Sequence, residues 1–178
     1  ENIDILDKNN LIKSFNDFKP DLLLHLAART DLEGKTIDDY KTNTVGVSNI
    51  LEAIRDIDSV ESAIFITTDK CYENQEWVWG YREHDSMGGY DPYSASKACA
   101  ELIINSYKKS FFSSDNSAFI ASVRAGNVIG GGDLADDRLI PDIVKAIRDN
   151  KKILLRNPYA TRPWQHVFEP IRGYLMIA

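Results

Sequence analysis

Three short apolar runs divide the chain into longer, more polar segments. They lie at residues 21–26, 63–67 and 118–123, and polar or turn-forming residues border each of them. Continuous apolar runs of this length are typical of strands that are buried on both faces of a parallel sheet. A shorter run at 153–155 predicts a fourth strand.

Between these runs, apolar residues recur at helical spacing. The clearest set is Val47, Ile50, Leu51 and Ile54, which follows i, i+3, i+4 and i+7. Three more helices are predicted from Leu11, Ile12, Phe15 and Phe18, from Ala95, Ala98, Cys99 and Leu102, and from Ile140, Ile143, Val144 and Ile147. Strands that alternate with helices predict an α/β fold, a Rossmann-type doubly wound parallel sheet.

Chemically reactive side chains follow the predicted strands. Thr68 and Asp69 come directly after the second strand, Arg29 follows the first, and Asn127 follows the third. In doubly wound sheets, ligands bind outside the carboxyl ends of the strands. A long loop at 72–90, rich in Trp and charge, is predicted to be functional rather than disordered.

The predicted helix after this loop has a strong start. Asp91 suits the N-cap position and Pro92 suits the first helical position. Tyr93 and Lys97 are then four residues apart on one helix face. A phenol with a pKa near ~10 is a poor base at neutral pH, but a neighbouring Lys⁺ favours the phenolate. Alone, the spacing is equally compatible with a solvated helix face.

Composition narrows the classes of partner. The chain has 178 residues, 43% hydrophobic and 27% charged residues, and a net charge of −6. This charge argues against nucleic acid or an anionic membrane as a partner. No apolar stretch is long enough to span a bilayer, no metal-ligand spacing is present, and two cysteines make no disulfide framework. We therefore expect a cytoplasmic protein without a metal site.

The motifs resemble the extended short-chain dehydrogenase/reductase superfamily, and most closely its CDP-glucose 4,6-dehydratase branch. The similarity lies in six ordered strings, at 68–74, 76–83, 88–93, 124–133, 137–142 and 162–167. The resemblance implies NAD as cofactor, a CDP-sugar as substrate, deoxysugar or O-antigen biosynthesis as the pathway, and a homodimer. The first glycine-rich βα turn is absent from the sequence, which starts at Glu1. We therefore expect a fragment, with 1–155 as a partial NAD-binding domain and 156–178 as the start of a substrate lobe, inactive in isolation.

The resemblance also implies a reaction. Tyr93 would take the proton of the sugar C4 hydroxyl while hydride passes to NAD⁺, Thr68 would hold the C4 oxygen, and Lys97 would bind the nicotinamide ribose. Asp69 would protonate the departing C6 hydroxyl, which requires a raised pKa. Lys70 occupies the position where related dehydratases have Glu, so it is either a base with a lowered pKa or an electrostatic group.

Further residues are implied as ligand contacts. The predicted cofactor-binding residues, besides Tyr93 and Lys97, are Asp4, Ile5, Leu26, Ala27, Ala28, Asn43, Thr67 and Arg124. The predicted substrate-binding residues are Asn127, Arg138, Leu139, Ile140, Arg162 and His166. Surface or packing roles remain open for Asp4, Asn43 and the three tryptophans. His25 is expected to pack, and Cys71 and Cys99 are expected to be inert.

Two other functions remain open. Residues 29–36 look more like those of NAD-dependent sugar epimerases, so an epimerase or another nucleotide-sugar dehydratase is the first alternative. An epimerase needs no acid for a C6 leaving group, so Asp69 and Lys70 favour the dehydratase. The second alternative is a non-catalytic nucleotide-sugar-binding protein, against which the presence of Thr68, Asp69, Tyr93 and Lys97 together argues.

Overall fold

The computed structural model describes residues 2–30 and 36–178. The chain forms two compact units, one of residues 1–125 with 174–178 and the other of Gly126–Gly173. The epimerase-like segment at 29–36 falls largely on residues 31–35, which lie outside the described residues. The predicted functional boundary at residue 155 stays a prediction.

A three-stranded parallel sheet forms the centre of the first unit. Its strands are β1 (Leu22–His25), β2 (Ser62–Ile66) and β3 (Phe119–Val123), in the order β1-β2-β3. Both strand pairs are parallel, which places all three carboxyl ends at one edge. The three strands predicted from apolar runs are confirmed.

Helices of the first unit pack beside this sheet. They are α1 (Lys8–Phe18), α2 (Thr36–Tyr40), a π-helical segment (Lys41–Gly46), α3 (Val47–Arg55) and α4 (Pro92–Phe111). Leu51 and Ile54 of α3 and Phe65 of β2 are fully buried and belong to one hydrophobic core cluster. The predicted apolar stripe of α3 is therefore the face that holds the helix to the sheet.

Helix α4 begins where the sequence predicts and buries part of the predicted face. Asp91 caps it, accepting hydrogen bonds from Ser94 N at 2.9 Å and Ser94 Oγ at 2.6 Å. The residues from which this helix is predicted are expected to face inward: Ala98 is buried, but the prediction is wrong for Leu102, which is 56% exposed. The buried stripe also contains Lys97, Glu101 and Ile104, at i, i+4 and i+7. A polar stripe of this kind cannot be found by searching for apolar periodicity.

The second unit contains one pair of short parallel strands. They are β4 (Val128–Ile129) and β5 (Gln165–His166), and Val128 lies opposite Gln165. Helix α5 (Leu139–Arg148) confirms the predicted helix, and α6 (Phe168–Ile177) begins in this unit. The predicted strand at 153–155 is wrong, since these residues are exposed and β4 pairs with β5 instead. Three apolar residues are too few to specify a strand when another segment provides the backbone partner.

None of the helices in the described part of the chain combines the length and the apolar character that crossing a membrane requires.

Candidate active site

The chain turns sharply after β2, and this turn carries two of the predicted catalytic residues. Thr68 is buried and caps a single 3₁₀ turn, Asp69–Cys71, by accepting a hydrogen bond from Lys70 N at 3.3 Å. Its hydroxyl donates to Asp69 Oδ1 at 3.2 Å. Asp69 N in turn donates to Ala125 O at 3.1 Å, just beyond β3. The hydroxyl and the carboxyl are thus held together at the carboxyl edge of the sheet.

The first turns of α4 face the Thr68–Asp69 turn, and the two together form a corner at the carboxyl edge of the sheet. Lys97 Nζ donates to the carbonyl of Ile66, the last residue of β2, at 3.2 Å. Lys70 Nζ lies 5.8 Å from the centroid of the Tyr93 ring. These contacts bring the phenol-bearing helix and the Thr68–Asp69 turn to one place. The structure therefore brings together the five side chains that the sequence predicts to be catalytic.

The Lys97 side chain is buried, and this changes its pKa. This side chain is only 5% exposed, and burial lowers its pKa to about 8, while the Glu101 carboxylate acts in the opposite direction. His25 on β1 is also buried, with its ring edge-to-face on Phe65 at 5.4 Å. Burial, and then the charge of Lys97, lower the pKa of His25 to about 4. The expected packing position of His25 is confirmed.

Asn43 ties the segment after β1 to α4. Its Oδ1 accepts from Arg29 N at 2.9 Å, and its Nδ2 donates to Arg29 O at 3.1 Å and to Ser96 Oγ at 2.9 Å. Ser96 Oγ donates to Tyr93 O at 2.7 Å. Asn43 is 1% exposed, so the alternative of a solvated helix face is wrong. Its backbone contacts connect the predicted cofactor edge with the helix that carries Tyr93.

A buried carboxylate that the sequence analysis missed lies one turn beyond Lys97. Glu101 accepts hydrogen bonds from the Thr67 hydroxyl, from Ser122 Oγ at 2.9 Å and from Arg124 Nη2 at 2.9 Å. Burial acts to raise the pKa of Glu101, but these donors and the Arg124 charge hold it below its usual range. The signal was the spacing: Glu101 follows Lys97 by four residues, as Lys97 follows Tyr93.

Two residues that are predicted to bind the cofactor, Thr67 and Arg124, are hydrogen-bonded to Glu101. Thr67 is buried and its hydroxyl also lies 3.1 Å from Val123 O, so its side chain turns toward Glu101. Arg124 donates to Glu83 O at 3.0 Å as well as to Glu101. Cofactor contacts by either residue stay predictions.

The residues after β1 leave room for a ligand at the sheet edge. Leu26 and Ala27 are exposed and Ala28 is half-buried. Small side chains allow a ligand to approach this backbone, as a dinucleotide lying across the strand ends requires. An ammonium carries three donors, so Lys97 can hold Ile66 O and the hydroxyls of a ribose together. This edge fits NAD.

The predicted adenine-side contact has a local role. Asp4 is exposed, and its Oδ1 accepts from Leu6 N at 2.9 Å while its carbonyl accepts from Asp7 N at 2.9 Å. Ile5 packs against Gly46, where an added Cβ would meet its side chain at 2.5 Å. These contacts match the surface-turn alternative for Asp4, and the cofactor role stays a prediction.

The two ends of the 72–90 loop lie side by side and form an ordered neck, made of residues 71–73 and 86–88. Tyr72 pairs antiparallel with Met87, and the Tyr72 ring stacks on Tyr81 at 5.0 Å between centroids. Trp77 lies 5.4 Å from the Tyr81 ring, and both Trp77 and Trp79 are exposed. The contacts of Tyr72 and Trp77 with Tyr81 therefore form an aromatic cluster within the loop.

The predicted substrate residues belong to the second unit and are mostly exposed. Asn127 O accepts from Gln165 N at 3.1 Å between β4 and β5, and His166 Nδ1 accepts from Phe168 N at 3.3 Å. Arg138 is the N-cap residue of α5, which Leu139 and Ile140 begin. Arg162 Nη1 donates to Thr161 O at 2.8 Å. Their contacts with a substrate stay predictions.

Neither cysteine belongs to a reactive cluster among the described residues. Cys71 is buried, and burial raises the pKa of its thiol to about 11, so it is protonated at neutral pH. The described ranges 2–30 and 36–178 contain no group of three or more His, Cys, Asp or Glu side chains placed to hold a metal ion.

Comparison with known families shows which family the chain belongs to. All of residues 1–178 match the NAD dependent epimerase/dehydratase family. The chain belongs to this family. The family's name refers to NAD-dependent epimerases and dehydratases. In this chain, the helix that carries Tyr93 and Lys97 meets the Thr68–Asp69 turn at the carboxyl edge of the sheet.

Within the family, the chain is similar to a protein named CDP-glucose 4,6-dehydratase. This protein, from Salmonella typhimurium, is 49% identical over 98% of the chain. The chain spans 51% of that protein's length. A dTDP-D-glucose 4,6-dehydratase of Dictyostelium discoideum is 29% identical over 83% of the chain.

Solved structures of family members share the fold. A dTDP-glucose 4,6-dehydratase from Bacillus anthracis, in complex with NAD, superposes with a TM-score of 0.84 at 22% identity, over 98% of the chain and 53% of that structure. A UDP-glucose 4-epimerase from Thermotoga maritima with UDP-glucose superposes at 0.86 and 19% identity, over 98% and 57%. These structures confirm the predicted Rossmann-type α/β fold.

Proposed function

We propose that the protein containing this chain is an NAD-dependent nucleotide-sugar 4,6-dehydratase that converts CDP-glucose to CDP-4-keto-6-deoxyglucose. The observation that carries the proposal is the corner where Thr68 and Asp69 meet the α4 residues Tyr93 and Lys97. The similarity to the Salmonella protein supports the choice of CDP-glucose.

The edge after β1 is proposed to hold NAD, with Leu26, Ala27 and Ala28 beneath it and Lys97 on its nicotinamide ribose. When bound, NAD would supply the hydride acceptor for C4 and, in its reduced form, the hydride donor for C6. The neighbouring His25 is neutral at physiological pH, because burial lowers its pKa to about 4. Lys97 is then the positive charge at this position.

The α4 residues carry the oxidation step. Tyr93 takes the proton of the sugar C4 hydroxyl, and the ammonium of Lys97, four residues on, stabilises the phenolate. Thr68 holds the C4 oxygen through its hydroxyl. In the structure this hydroxyl accepts from Lys70 N and donates to Asp69 Oδ1. Once Asp69 is protonated, as the loss of water requires, the Thr68 proton is released to the C4 oxygen.

Loss of water is assigned to the turn after β2. The C4 ketone acidifies the C5 hydrogen, a base other than Lys70 takes that proton, and protonated Asp69 gives its proton to the departing C6 hydroxyl, which leaves as water. A proton then returns to C5 as the hydride adds to C6. Lys70 is exposed, with its ammonium 5.8 Å from the Tyr93 ring. Because this side chain is exposed beside the Tyr93 ring, we assign Lys70 an electrostatic role on the anionic intermediate.

The second unit is proposed to bind the nucleotide diphosphate. Arg162 has the planar donor fork that suits phosphate, and Arg138 and His166 add donors. Asn127, Leu139 and Ile140 complete the predicted set. The proposed assembly is a homodimer in the cytoplasm, a compartment compatible with two free cysteines.

A product assay tests the proposal. The full-length protein is incubated with CDP-glucose and NAD⁺, and the sugar nucleotide is identified by NMR. We expect a CDP-4-keto-6-deoxy sugar, with no net consumption of NAD⁺. Release of a C4 epimer would favour the epimerase instead, and tight binding of CDP-glucose without any product would favour a binding protein.

A further inference from the structure

The 72–90 loop joins the two halves of the proposed site. It starts directly after the Asp69–Cys71 turn and ends at Asp91, which caps the helix that carries Tyr93. Any change in the path of this loop therefore acts on both Asp69 and Tyr93.

The two arms of the loop are bound to one another at its neck. Glu73 N donates to Ser86 O at 2.9 Å, and Gly88 N donates to Cys71 O at 2.9 Å. Two backbone hydrogen bonds are too few to hold a hairpin in water without side-chain packing. The Tyr72–Tyr81 stack supplies part of this packing, and Arg124 supplies another part.

Arg124, just beyond β3, contacts both arms of this neck. Its guanidinium carbon lies 4.8 Å from the centroid of the Tyr72 ring on the first arm. On the second arm, Nη1 donates to Glu83 O at 3.0 Å and Nη2 lies 3.9 Å from Met87 Sδ. A planar guanidinium suits this task, because it stacks on a ring and donates in several directions at once.

Glu101 fixes the direction of that guanidinium. Its carboxylate is 3% exposed and receives donors from Thr67 after β2, from Ser122 on β3 and from Arg124. The rigid sheet thus determines the position of Glu101, and Glu101 determines the position of Arg124. Burial lowers the pKa of Arg124, but the hydrogen bonds of Glu101 and Tyr72 outweigh it and leave the cation more stable than usual.

We propose that Glu101 and Arg124 are a positioning pair, in which Arg124 holds the neck of the 72–90 loop so that Asp69 and Tyr93 keep a fixed separation. The inference rests on the proposed function, which gives Asp69 and Tyr93 their roles. Neither member of the pair is assigned a substrate contact, and the cofactor contact of Arg124 stays a separate prediction. A pair that only stabilised the core would have no need of Arg124's contacts with Tyr72, Glu83 and Met87 on the loop.

Amide hydrogen exchange of the full-length protein tests the loop directly. In Arg124→Lys the charge remains, but a single ammonium cannot reproduce the fork between Glu101 and Glu83. We expect the amides of Glu73 and Gly88 to exchange at least about 10-fold faster, while β2 amides such as Phe65 keep their protection. The matched control is Arg55→Lys, which alters an exposed arginine paired with Glu52.

Kinetics give the second readout. Misplacing reacting groups by about 1 Å costs on the order of 100-fold, so we expect Arg124→Lys to lower kcat about 10- to 100-fold. We expect KM to stay within about 3-fold of wild type, because the substrate's own contacts remain. Glu101→Gln is expected to give the same pattern, and Arg55→Lys is expected to change neither constant.

Tyr72→Leu is a second variant, which tests the proposal even if Arg124→Lys fails to fold. It removes the ring beneath the guanidinium and leaves the Glu101–Arg124 pair in place, so the neck amides should again exchange faster. Unchanged neck exchange in both variants, or equal loss of protection in the neck and in β2, would overturn the proposal. If the wild-type protein forms no 4-keto product, the proposed function fails, while the exchange experiment still decides the role of the pair.

Discussion

Lys97 Nζ donates a hydrogen bond to the carbonyl of Ile66 at 3.2 Å, so the helix that carries Tyr93 is fixed to the end of the central strand. The ammonium is almost completely buried. Lowering its pKa from 10.5 to about 8 corresponds to a cost of about 3 kcal/mol for holding the charge at pH 7. A charged hydrogen bond returns about 1.5–3 kcal/mol of this.

Lys97→Met should therefore separate activity from stability. The apolar side chain loses the hydrogen bond but removes the buried charge, so we expect a free energy of unfolding within about 2 kcal/mol of wild type. Turnover should fall at least about 100-fold, because Tyr93 loses the charge that favours its phenolate. Denaturant unfolding and a product assay measure the two effects, and a variant that keeps full turnover would contradict the role of Lys97.

Lys70 offers a choice between two chemistries. If its charge stabilises the anionic intermediate, Lys70→Arg keeps most of the activity and Lys70→Gln lowers kcat about 10-fold or more. If Lys70 is the base, Lys70→Arg and Lys70→Gln lose activity equally, since a guanidinium does not deprotonate. We expect the first pattern, because Lys70 is exposed. Steady-state kinetics with CDP-glucose distinguish the two.

Much of the first unit could be predicted from sequence. Its three strands and α3 follow from apolar periodicity, and the start of α4 follows from Asp91 and Pro92, since these signals are local. The Glu101–Arg124 pair could not be predicted, because it joins residues 23 positions apart and interrupts the apolar pattern of α4. The β4–β5 pair was equally invisible, since two residues per strand establish no period.

The candidate site also combines residues that could be predicted from sequence with residues whose roles could not. The sequence predicts that Thr68, Asp69, Tyr93 and Lys97 converge, because strand ends and helix starts meet at one edge of a parallel sheet. Sequence left the role of Asn43 open, since its three hydrogen bonds depend on the fold of the segment after β1. Long-range polar contacts of this kind have no local signature.

Asn43→Ala should destabilise the protein strongly. The change leaves both backbone groups of Arg29 without their side-chain partner, in a buried site, so we expect a loss of about 2–4 kcal/mol. Asn16→Ala is the matched control, because Asn16 is exposed and bonds only within its own helix. We expect that control to change stability by less than about 0.5 kcal/mol. Equal effects in denaturant unfolding would contradict the role assigned to Asn43.

His25 should make the fold sensitive to acid. Its folded pKa of about 4 lies below the ordinary value of 6.5, so the unfolded state binds more protons between these values. The associated stability is complete above pH 6.5 and falls as the pH decreases toward 4, by about 3 kcal/mol in all. His25→Leu cannot titrate and should lose less stability over this range. Parallel slopes for the two proteins, measured by unfolding at pH 4.5, 5.5 and 6.5, would argue against a buried neutral imidazole.

In the proposed reaction, one corner of the sheet oxidises C4 and removes the C6 hydroxyl of the same sugar. This is tested with CDP-glucose labelled with deuterium at C4, the full-length protein, NAD⁺ and NMR of the product. We expect deuterium in the C6 methyl group of a CDP-4-keto-6-deoxy sugar. Deuterium that remains at C4 of a hexose, whether epimerised or unchanged, would contradict it.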